Sequence, residues 1–270
     1  MPLAPEIVKQ RLPMNYLPNK IYLPELPSES ANPIGEGAIT EAIILAGGLG
    51  TRLRSAVPDL PKCMAPVAGK PFLSFVIDYY YAQGIQEFIF SLGYMHESIE
   101  EYLDEHYSLI DRKYVIEEEP LGTGGAIKLA CEHCMTKNVL VLNGDTLFKI
   151  NLAELSTLHR QKASECTLSL KPMTDFDRYG VVDLNADQSV KNFHEKKFYA
   201  AGTINGGVYA LDKERFMKKD FPEKFSFEKD YLEKEYKNGK LFGIVQEGYF
   251  IDIGIPEDFE RAQGELGVSG

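Results

Sequence analysis

The feature that most constrains this chain is an apolar run that leads directly into a glycine-rich loop, AIILAGGLGTRL at residues 42–53. Residues 42–46 predict a buried strand, and the glycines after it let the backbone approach a ligand closely. Backbone N–H groups in such a loop can bind phosphate oxygens, and Arg52 adds a guanidinium at the same place. Many strand ends carry glycines, so the loop indicates a nucleotide site without identifying a function.

From residue 41 onward, strand and helix patterns alternate along the chain. This alternation predicts a Rossmann-like α/β fold, a mixed and mostly parallel sheet flanked by helices, with ligands at the carboxyl ends of the strands. After residue 171 the pattern becomes β-rich, which predicts a portion that covers the same edge. Strands are predicted at 41–46, 87–92, 113–117, 138–143 and 166–171, helices at 71–83, 96–106, 123–134 and 151–162, and further β segments at 179–183, 189–194 and 204–211.

Residues 1–40 differ from the rest of the chain because they contain seven prolines and no helical or alternating period. Proline removes backbone donors and favours extended conformations, so we interpret this segment as an N-terminal extension and not as a domain. It is either a disordered extension or an arm that packs on the body or on another subunit. The main domain is predicted at 41–265, with a short tail at 266–270.

The composition limits the class of partner. A net charge of −11 argues against nucleic-acid binding, which requires a basic face. No apolar stretch approaches the ~20 residues that span a bilayer, and no signal-peptide pattern begins the chain, so we expect a cytoplasmic protein without a membrane partner. In an acidic protein that handles phosphates, Mg²⁺ is the natural mediator between carboxylates and phosphate oxygens.

Four cysteines do not form a disulfide framework in a chain of 270 residues. Cys131 and Cys134 form a C-x-x-C around His133, a pattern that raises metal binding or redox chemistry as an alternative. No second Cys/His pair has zinc spacing, and we therefore interpret these thiols as structural.

The blocks that follow the glycine loop resemble, in order, the signature of the sugar-1-phosphate nucleotidyltransferase family. That signature is a GGxGTRL loop, here residues 47–53, followed by PK-x-M-x-P-V-x-GKP, here residues 61–71. The resemblance covers about residues 40–264. Its further blocks are EEEPLGTGGA at 117–126, NGD at 143–145, YG at 179–180, HEK at 194–196, NGG at 205–207 and FIDIGIPEDF at 250–259.

The resemblance implies the nucleotide-diphospho-sugar transferase type of fold and a reaction that joins a sugar 1-phosphate to a nucleoside monophosphate, with release of pyrophosphate. The second pKa of a phosphate ester is about 6, so the sugar phosphate is already an anionic nucleophile and needs no general base. The protein must instead bring two polyanions together and stabilise the charge of the transition state. In the family pattern, Arg52 and Lys62 are the catalytic cations, and Asp145 and Asp252 are the ligands of a shared Mg²⁺ ion.

The same resemblance implies the remaining contacts with the two substrates. Sugar-phosphate contacts fall in the β-rich portion, at Gly180, Glu195, Lys196 and Asn205. Relatives commonly have Pro after the EK pair, whereas Lys197 follows here. The nucleotide contacts are Leu45, Ala46, Gly47, Gly48, Gly50, Thr51, Glu117, Gly122 and Thr123.

The residue at position 117 indicates which nucleotide base the protein selects. Where many relatives have Gln, this chain has Glu117, and an acceptor-only carboxylate suits the adjacent N1–H and N2–H₂ donors of guanine. A register shifted to Glu118 stays open.

The expected substrates are therefore GTP and a sugar 1-phosphate, with a manno-heptose favoured. Mannose 1-phosphate guanylyl transfer, and uridylyl transfer to a hexose or amino-sugar phosphate, remain alternatives. A non-catalytic sugar-nucleotide-binding regulator is a further one. The sequence leaves the oligomeric state open, a homo-oligomer included.

Overall fold

The computed structural model describes residues 37–48, 53, 57 and 59–267. Its strands are β1 (Glu41–Leu45), β2 (Pro66–Val67), β3 (Lys70–Pro71), β4 (Glu87–Leu92), β5 (Asp111–Ile116), β6 (Asn138–Asn143), β7 (Thr146–Phe148), β8 (Cys166–Phe176), β9 (Val182–Leu184), β10 (Val190–Phe193), β11 (Tyr199–Asp212), β12 (Leu241–Val245) and β13 (Phe250–Asp252). Its α-helices are α1 (Phe72–Ala82), α2 (His96–His106), α3 (Gly122–Cys131), α4 (Leu152–Gln161), α5 (Lys213–Met217), α6 (Glu233–Glu235) and α7 (Pro256–Gly267).

Seven strands form one sheet in the order β12-β8-β11-β6-β1-β4-β5. Strand β1 lies parallel to β4 and β6, and β4 lies parallel to β5. Strand β11 runs antiparallel to both of its neighbours, β6 and β8, while β12 is parallel to β8. The predicted fold class, a mixed and mostly parallel sheet flanked by helices, is confirmed.

Side chains that alternate along the central strands supply two separate cores. Along β1, Ala42 and Ile44 pack on one face of the sheet and Ile43 packs on the other, as the period of two in a strand requires. The first face is covered by α1, α2, α4 and α7. The second is covered by α3, α5 and the segment that precedes α6. Cys131 and Cys134 belong to this second core, and burial raises the pKa of the Cys134 thiol to about 12.

The parallel strands β1, β4, β5 and β6 have their carboxyl ends at the same edge of the sheet. Glycines bring these ends close together. The Gly144 N–H donates to the Leu45 carbonyl oxygen at 2.9 Å, and a Cβ at position 144 would stand 3.0 Å from that oxygen. The ends of β1 and β6 therefore lie side by side, which brings the loop after β6 to the glycine loop after β1.

The β-rich portion is more extensive than the sequence predicts. Strand β11 spans Tyr199–Asp212 where 204–211 is predicted, and β8 continues to Phe176, five residues beyond its predicted end. A register shift between Asn205 and Tyr209 interrupts their ladder, with Gly207 at a φ of +72° inside it. Strand β12 at the sheet edge is not predicted, because LFGIV is too short an apolar run to identify by its period.

The start of β1 is attached to the loop before β6 by a buried carboxylate. Glu41 is 4% exposed and accepts hydrogen bonds from the backbone N–H groups of Met135 and Thr136 and from the Thr136 hydroxyl. Burial opposes ionisation of this carboxyl, but these hydrogen bonds outweigh it and lower its pKa. Among the described residues, no helix is long and apolar enough to span a bilayer.

Candidate active site

A cavity of about 620 Å³ opens at the carboxyl edge of the sheet. Three of the predicted residues, Gly50, Thr51 and Arg52, lie outside the described part of the chain. The predicted nucleotide, catalytic and metal residues that line the cavity are Leu45, Ala46, Gly47, Gly48, Lys62, Glu117, Gly122, Thr123, Asp145 and Asp252.

A second cavity, of about 500 Å³, adjoins the first. All four residues predicted to contact the sugar phosphate, Gly180, Glu195, Lys196 and Asn205, line this second cavity. Asn143, Glu228 and Asp252 line both cavities, so these three side chains mark the boundary between them. After the ligands that the sequence predicts for their lining residues, we call the first the nucleotide cavity and the second the sugar cavity.

The two predicted metal ligands come together through a short antiparallel strand pair. In the β7–β13 ladder, Asp252 is paired with Thr146, the residue next to Asp145. The Ile253 N–H also donates to the Asp145 carbonyl oxygen at 3.1 Å, which continues the pairing past the strand end. A ladder fixes which residues face each other. The β7–β13 pairing therefore places Asp252 next to Asp145, in the loop after β6.

Lys62 lies between the two carboxylates. Its ammonium group forms an ion pair with Asp145, and its Nζ atom lies 3.6 Å from Asp252 Oδ1. The side chain projects from a 3₁₀ turn, Lys62–Met64, that is anchored by the buried Cys63 and Met64. The turn therefore holds the lysine in place by burying its neighbours, and one of these, Met64, is itself part of the PK-x-M signature.

The electrostatics of the carboxylate pair suit a cation. Burial, together with the negative charge of Asp145, raises the pKa of Asp252, although Lys62 opposes this shift. Mg²⁺ commonly takes one or two carboxylates and completes its shell with water and substrate phosphate oxygens. The pair fits this requirement, and the described residues contain no larger cluster of metal-ligating side chains.

Glu117 follows β5 and lies over the backbone of Gly47. Its Oε1 atom accepts a hydrogen bond from the Ser91 hydroxyl at 3.1 Å, and its Oε2 atom accepts one from the Leu121 N–H at 3.0 Å. A Cβ at position 47 would stand 2.7 Å from Oε1, so a glycine is needed for this approach. Glu118 is exposed and is not among the residues lining the nucleotide cavity, which favours the unshifted register.

The glycines at the start of α3 make room for another segment of the protein, and Gly122 also lines the nucleotide cavity. Cβ atoms at Gly122 and Gly124 would clash with Phe225, and one at Gly125 would stand 2.4 Å from the Glu223 carbonyl oxygen. The Gly124 N–H donates to the Phe225 carbonyl oxygen at 3.0 Å. Part of the LGTGG pattern is therefore explained by packing of residues 223–225 against the helix.

Close contacts also explain two glycines of the sugar cavity, Gly180 and Gly207. A Cβ at Gly180 would stand 2.4 Å from the His194 carbonyl oxygen, and one at Gly207 would stand 2.7 Å from Asn143 Nδ2. Asn205 is held by its own neighbours, since its Nδ2 donates to the Tyr209 hydroxyl at 2.9 Å and its Oδ1 accepts from the Gly207 N–H. The side chain is thus fixed before any ligand binds.

Among the cavity-lining residues that sequence reasoning missed are three with polar or charged side chains near the boundary of the two cavities, Asn143, Arg178 and Glu228. Asn143 ends β6 within the NGD block, and its place beside Asp145 was a usable signal. Arg178, which precedes the YG block, lines the nucleotide cavity and forms an ion pair with Asp258. Glu228 lies in FSFEKDYLEK, a segment with no motif that indicated a site.

Comparison with known proteins gives the class of the chain. The model of the nucleotidyl transferase family matches residues 41–267, so the chain belongs to this family. Two relatives are named D-glycero-alpha-D-manno-heptose 1-phosphate guanylyltransferase. That of Aneurinibacillus thermoaerophilus is 50% identical, with 84% of this chain and 98% of the relative covered. That of Campylobacter jejuni is 48% identical, with 81% and 96% covered.

A solved structure is similar over the same region. HddC from Yersinia pseudotuberculosis, complexed with GMP-PN, is 38% identical to this chain, with a TM-score of 0.76 and coverage of 84% of this chain and 100% of that one. A UDP-glucose pyrophosphorylase complexed with UDP-glucose has a TM-score of 0.71 at 18% identity, a likeness of fold alone.

Proposed function

We propose that the protein is a Mg²⁺-dependent guanylyltransferase that joins GTP and D-glycero-D-manno-heptose 1-phosphate to give GDP-heptose and pyrophosphate. The observation that carries this proposal is the meeting of two cavities at Asp252, beside Asp145 and Lys62. The two relatives that share about half of their residues with this chain carry the name of that activity.

In this reaction, an oxygen of the sugar phosphate attacks the α-phosphorus of GTP. One P–O bond forms, the bond to the β-phosphate oxygen breaks, and pyrophosphate leaves with that electron pair. The attacking phosphate is already ionised, so the site has to align the two anions and stabilise charge. The boundary between the two cavities is where the reacting atoms would meet, because each cavity can hold one substrate.

Lys62 is the described cation best placed for the α-phosphoryl group. Its ammonium lies at the cavity boundary, where negative charge increases in the transition state. In the absence of substrate, Asp145 and Asp252 neutralise it. Asp145 and Asp252 would hold Mg²⁺, which when bound neutralises charge on the phosphate oxygens. With both carboxylates holding the metal, the Lys62 ammonium would be available to a phosphate oxygen.

The preference for guanine rests on Glu117. Both oxygens of its carboxylate are fixed by protein donors, and each keeps a lone pair for a further hydrogen bond. Guanine offers two adjacent donors, N1–H and N2–H₂, whereas uracil would bring its carbonyl oxygens to a negative charge. The complex of HddC with GMP-PN, a guanine nucleotide on a relative of this fold, supports the same choice.

A pyrophosphate-release assay tests the proposal. The four NTPs are each combined with a panel of sugar 1-phosphates that includes manno-heptose, mannose, glucose and N-acetylglucosamine, with and without Mg²⁺. We expect the highest kcat/KM for GTP with the heptose phosphate. Without Mg²⁺ we expect no pyrophosphate release. A preference for mannose 1-phosphate would show that the proposed sugar is wrong, and a preference for UTP would show that the proposed base is wrong. Binding of both substrates without turnover would identify a non-catalytic regulator.

A further inference from the structure

The family signature gives no role to Glu228, yet this carboxylate lies at the boundary of the nucleotide and sugar cavities. It is partly buried and forms no ion pair with any residue in the described part of the chain. The other two carboxylates near this boundary, Asp145 and Asp252, share Lys62. Glu228 is therefore an uncompensated acceptor group that faces ligand space.

Two hydroxyl groups hold one oxygen of this carboxylate. The Thr123 hydroxyl donates to Glu228 Oε2 at 2.8 Å, and the Ser226 hydroxyl donates to the same atom at 3.1 Å. Each hydroxyl has a single proton, and each also accepts from a backbone N–H, that of Phe227 for Thr123 and that of Lys229 for Ser226. The direction of these hydrogen bonds is thus fixed, and Oε2 is satisfied while Oε1 remains for a ligand.

The backbone that carries Glu228 is held by buried neighbours. Residues Phe227–Leu232 form a turn of π-helix, which Ser226 begins and α6 continues. Phe227, Tyr231 and Leu232 are buried in the second core and anchor this turn. Short π-helical turns frequently occur at functional sites.

The same turn faces the sugar cavity more than the nucleotide cavity. Lys229 and Glu233, its neighbours in this turn and the next, line the sugar cavity only. The oxygen that is already satisfied, Oε2, is the one directed to Thr123 on the nucleotide side. The free oxygen therefore belongs with the acceptor substrate.

An uncompensated carboxylate repels phosphate groups, so the part of a sugar phosphate that it can bind is a neutral hydrogen-bond donor. We propose that Glu228 Oε1 accepts hydrogen bonds from hydroxyl groups of the acceptor sugar, and that Thr123 and Ser226 position it for this role. Glu228 is then a specificity-determining residue for the sugar. This inference rests on the proposed function, because it takes the second cavity as the site of a sugar 1-phosphate.

Binding and kinetics of Glu228→Gln test the assignment. The amide oxygen of Gln can still accept from Thr123 and Ser226, but its NH₂ group cannot accept from a sugar hydroxyl. We expect KM and the calorimetric Kd for manno-heptose 1-phosphate to rise about 10- to 100-fold, while KM for GTP changes less than about threefold. Glu214→Gln, at an exposed position on α5, is the matched control and should change neither constant.

The positioning role has its own test. Thr123→Val removes the hydroxyl and should raise the sugar-phosphate KM, and Thr123→Ser should restore it. Equal sugar-phosphate constants in Glu228→Gln and the wild type would overturn the assignment, as would an effect on GTP alone, which would place the ribose against Glu228. Wild-type protein that binds the sugar phosphate in a Glu228-dependent way but never releases pyrophosphate would overturn the proposed function and support this inference.

Discussion

Gly254 lies directly against the Lys62 ammonium. A Cβ at position 254 would stand 3.0 Å from Lys62 Nζ and 2.8 Å from Asp252 Oδ1, and the Gly254 N–H donates to that same oxygen at 2.7 Å. The glycine that follows β13 thus leaves room for the lysine between the two carboxylates while it fixes one of them. A methyl group there would have to displace the Lys62 ammonium or the Asp252 carboxylate.

We therefore expect Gly254→Ala to lower kcat by roughly tenfold to a hundredfold with little loss of stability, because small displacements of reacting groups are costly. The measurement is steady-state pyrophosphate release together with thermal melting. Gly264→Ala on α7 is the matched control, since a Cβ there meets nothing within 4 Å. Unchanged kcat in Gly254→Ala would show that the reaction tolerates displacement of Lys62 or Asp252.

Asp145→Asn tests the metal assignment. The amide keeps the shape of the side chain but removes the charge that compensates a cation, so turnover at limiting Mg²⁺ should fall by roughly a hundredfold or more. Asp252→Asn should act in the same direction, because it removes the charge of the second carboxylate proposed to hold the metal. Circular dichroism of both variants should match that of the wild type. Near-normal turnover of Asp145→Asn at limiting Mg²⁺ would contradict the assignment.

Glu117→Gln tests the basis of guanine selection. Gln can keep a contact with both the Leu121 N–H and the Ser91 hydroxyl, so the local structure should persist while the pair of acceptors for guanine is lost. The ratio of kcat/KM for GTP to that for UTP should fall about tenfold to a hundredfold. Glu118→Gln, at the exposed neighbouring position, should leave the ratio unchanged. A wild-type preference for UTP would refute the guanine argument whatever the variants do.

Much of the sheet could be predicted because its strands are buried on both faces. The predicted strands at 87–92 and 138–143 agree with β4 and β6 to the residue, and the helix at 96–106 agrees with α2. Continuous apolar runs and clear helical periods mark these elements. The candidate site residues could be named for a different reason, namely that the order of their motifs along the chain matches a family signature.

What the sequence did not show depends on contacts between distant segments. The pairing of Asp252 with Thr146 follows from a three-residue ladder, which is too short for any periodic signal. The glycines at 122–125 indicated a ligand, and their packing against Phe225 could not be separated from that interpretation. Glu228 was missed because its proposed role depends on hydroxyls at positions 123 and 226, a relationship that only the folded chain displays.

His159 gives a prediction about stability and pH. This histidine is 2% exposed, with Nδ1 at 2.9 Å from the Thr167 hydroxyl, and burial lowers its pKa to about 4. Between about pH 4 and the ordinary histidine pKa, the unfolded chain binds a proton that the folded chain does not, so stability falls as the pH falls. The contribution is about 3 kcal/mol over the whole window.

Urea unfolding at several pH values measures this effect. The free energy of unfolding of the wild type should decrease from pH 7 to pH 4.5 more steeply than that of His159→Gln, which cannot titrate. His133→Gln, at an exposed position, should keep the wild-type slope. The same slope in His159→Gln and the wild type would mean that His159 takes up its proton without unfolding.

The start of the folded domain can be tested by a pair of truncations. Ile39 is 3% exposed and belongs to the first core, and the Thr40 carbonyl oxygen accepts from the Gln86 N–H at 2.8 Å. None of the motif residues lies before position 41. A protein that begins at residue 37 should therefore keep kcat within a few-fold of the full chain.

A protein that begins at residue 41 lacks Ile39 and the Thr40 carbonyl, and should lose about 3 kcal/mol of stability. Its melting temperature should be lower by roughly 5–10 °C, while the activity of the fraction that remains folded should persist. Turnover at matched folded concentration and melting curves of the three proteins distinguish the possibilities. A large loss of kcat in the protein that begins at residue 37, with unchanged melting, would mean that the removed residues contribute to an active site.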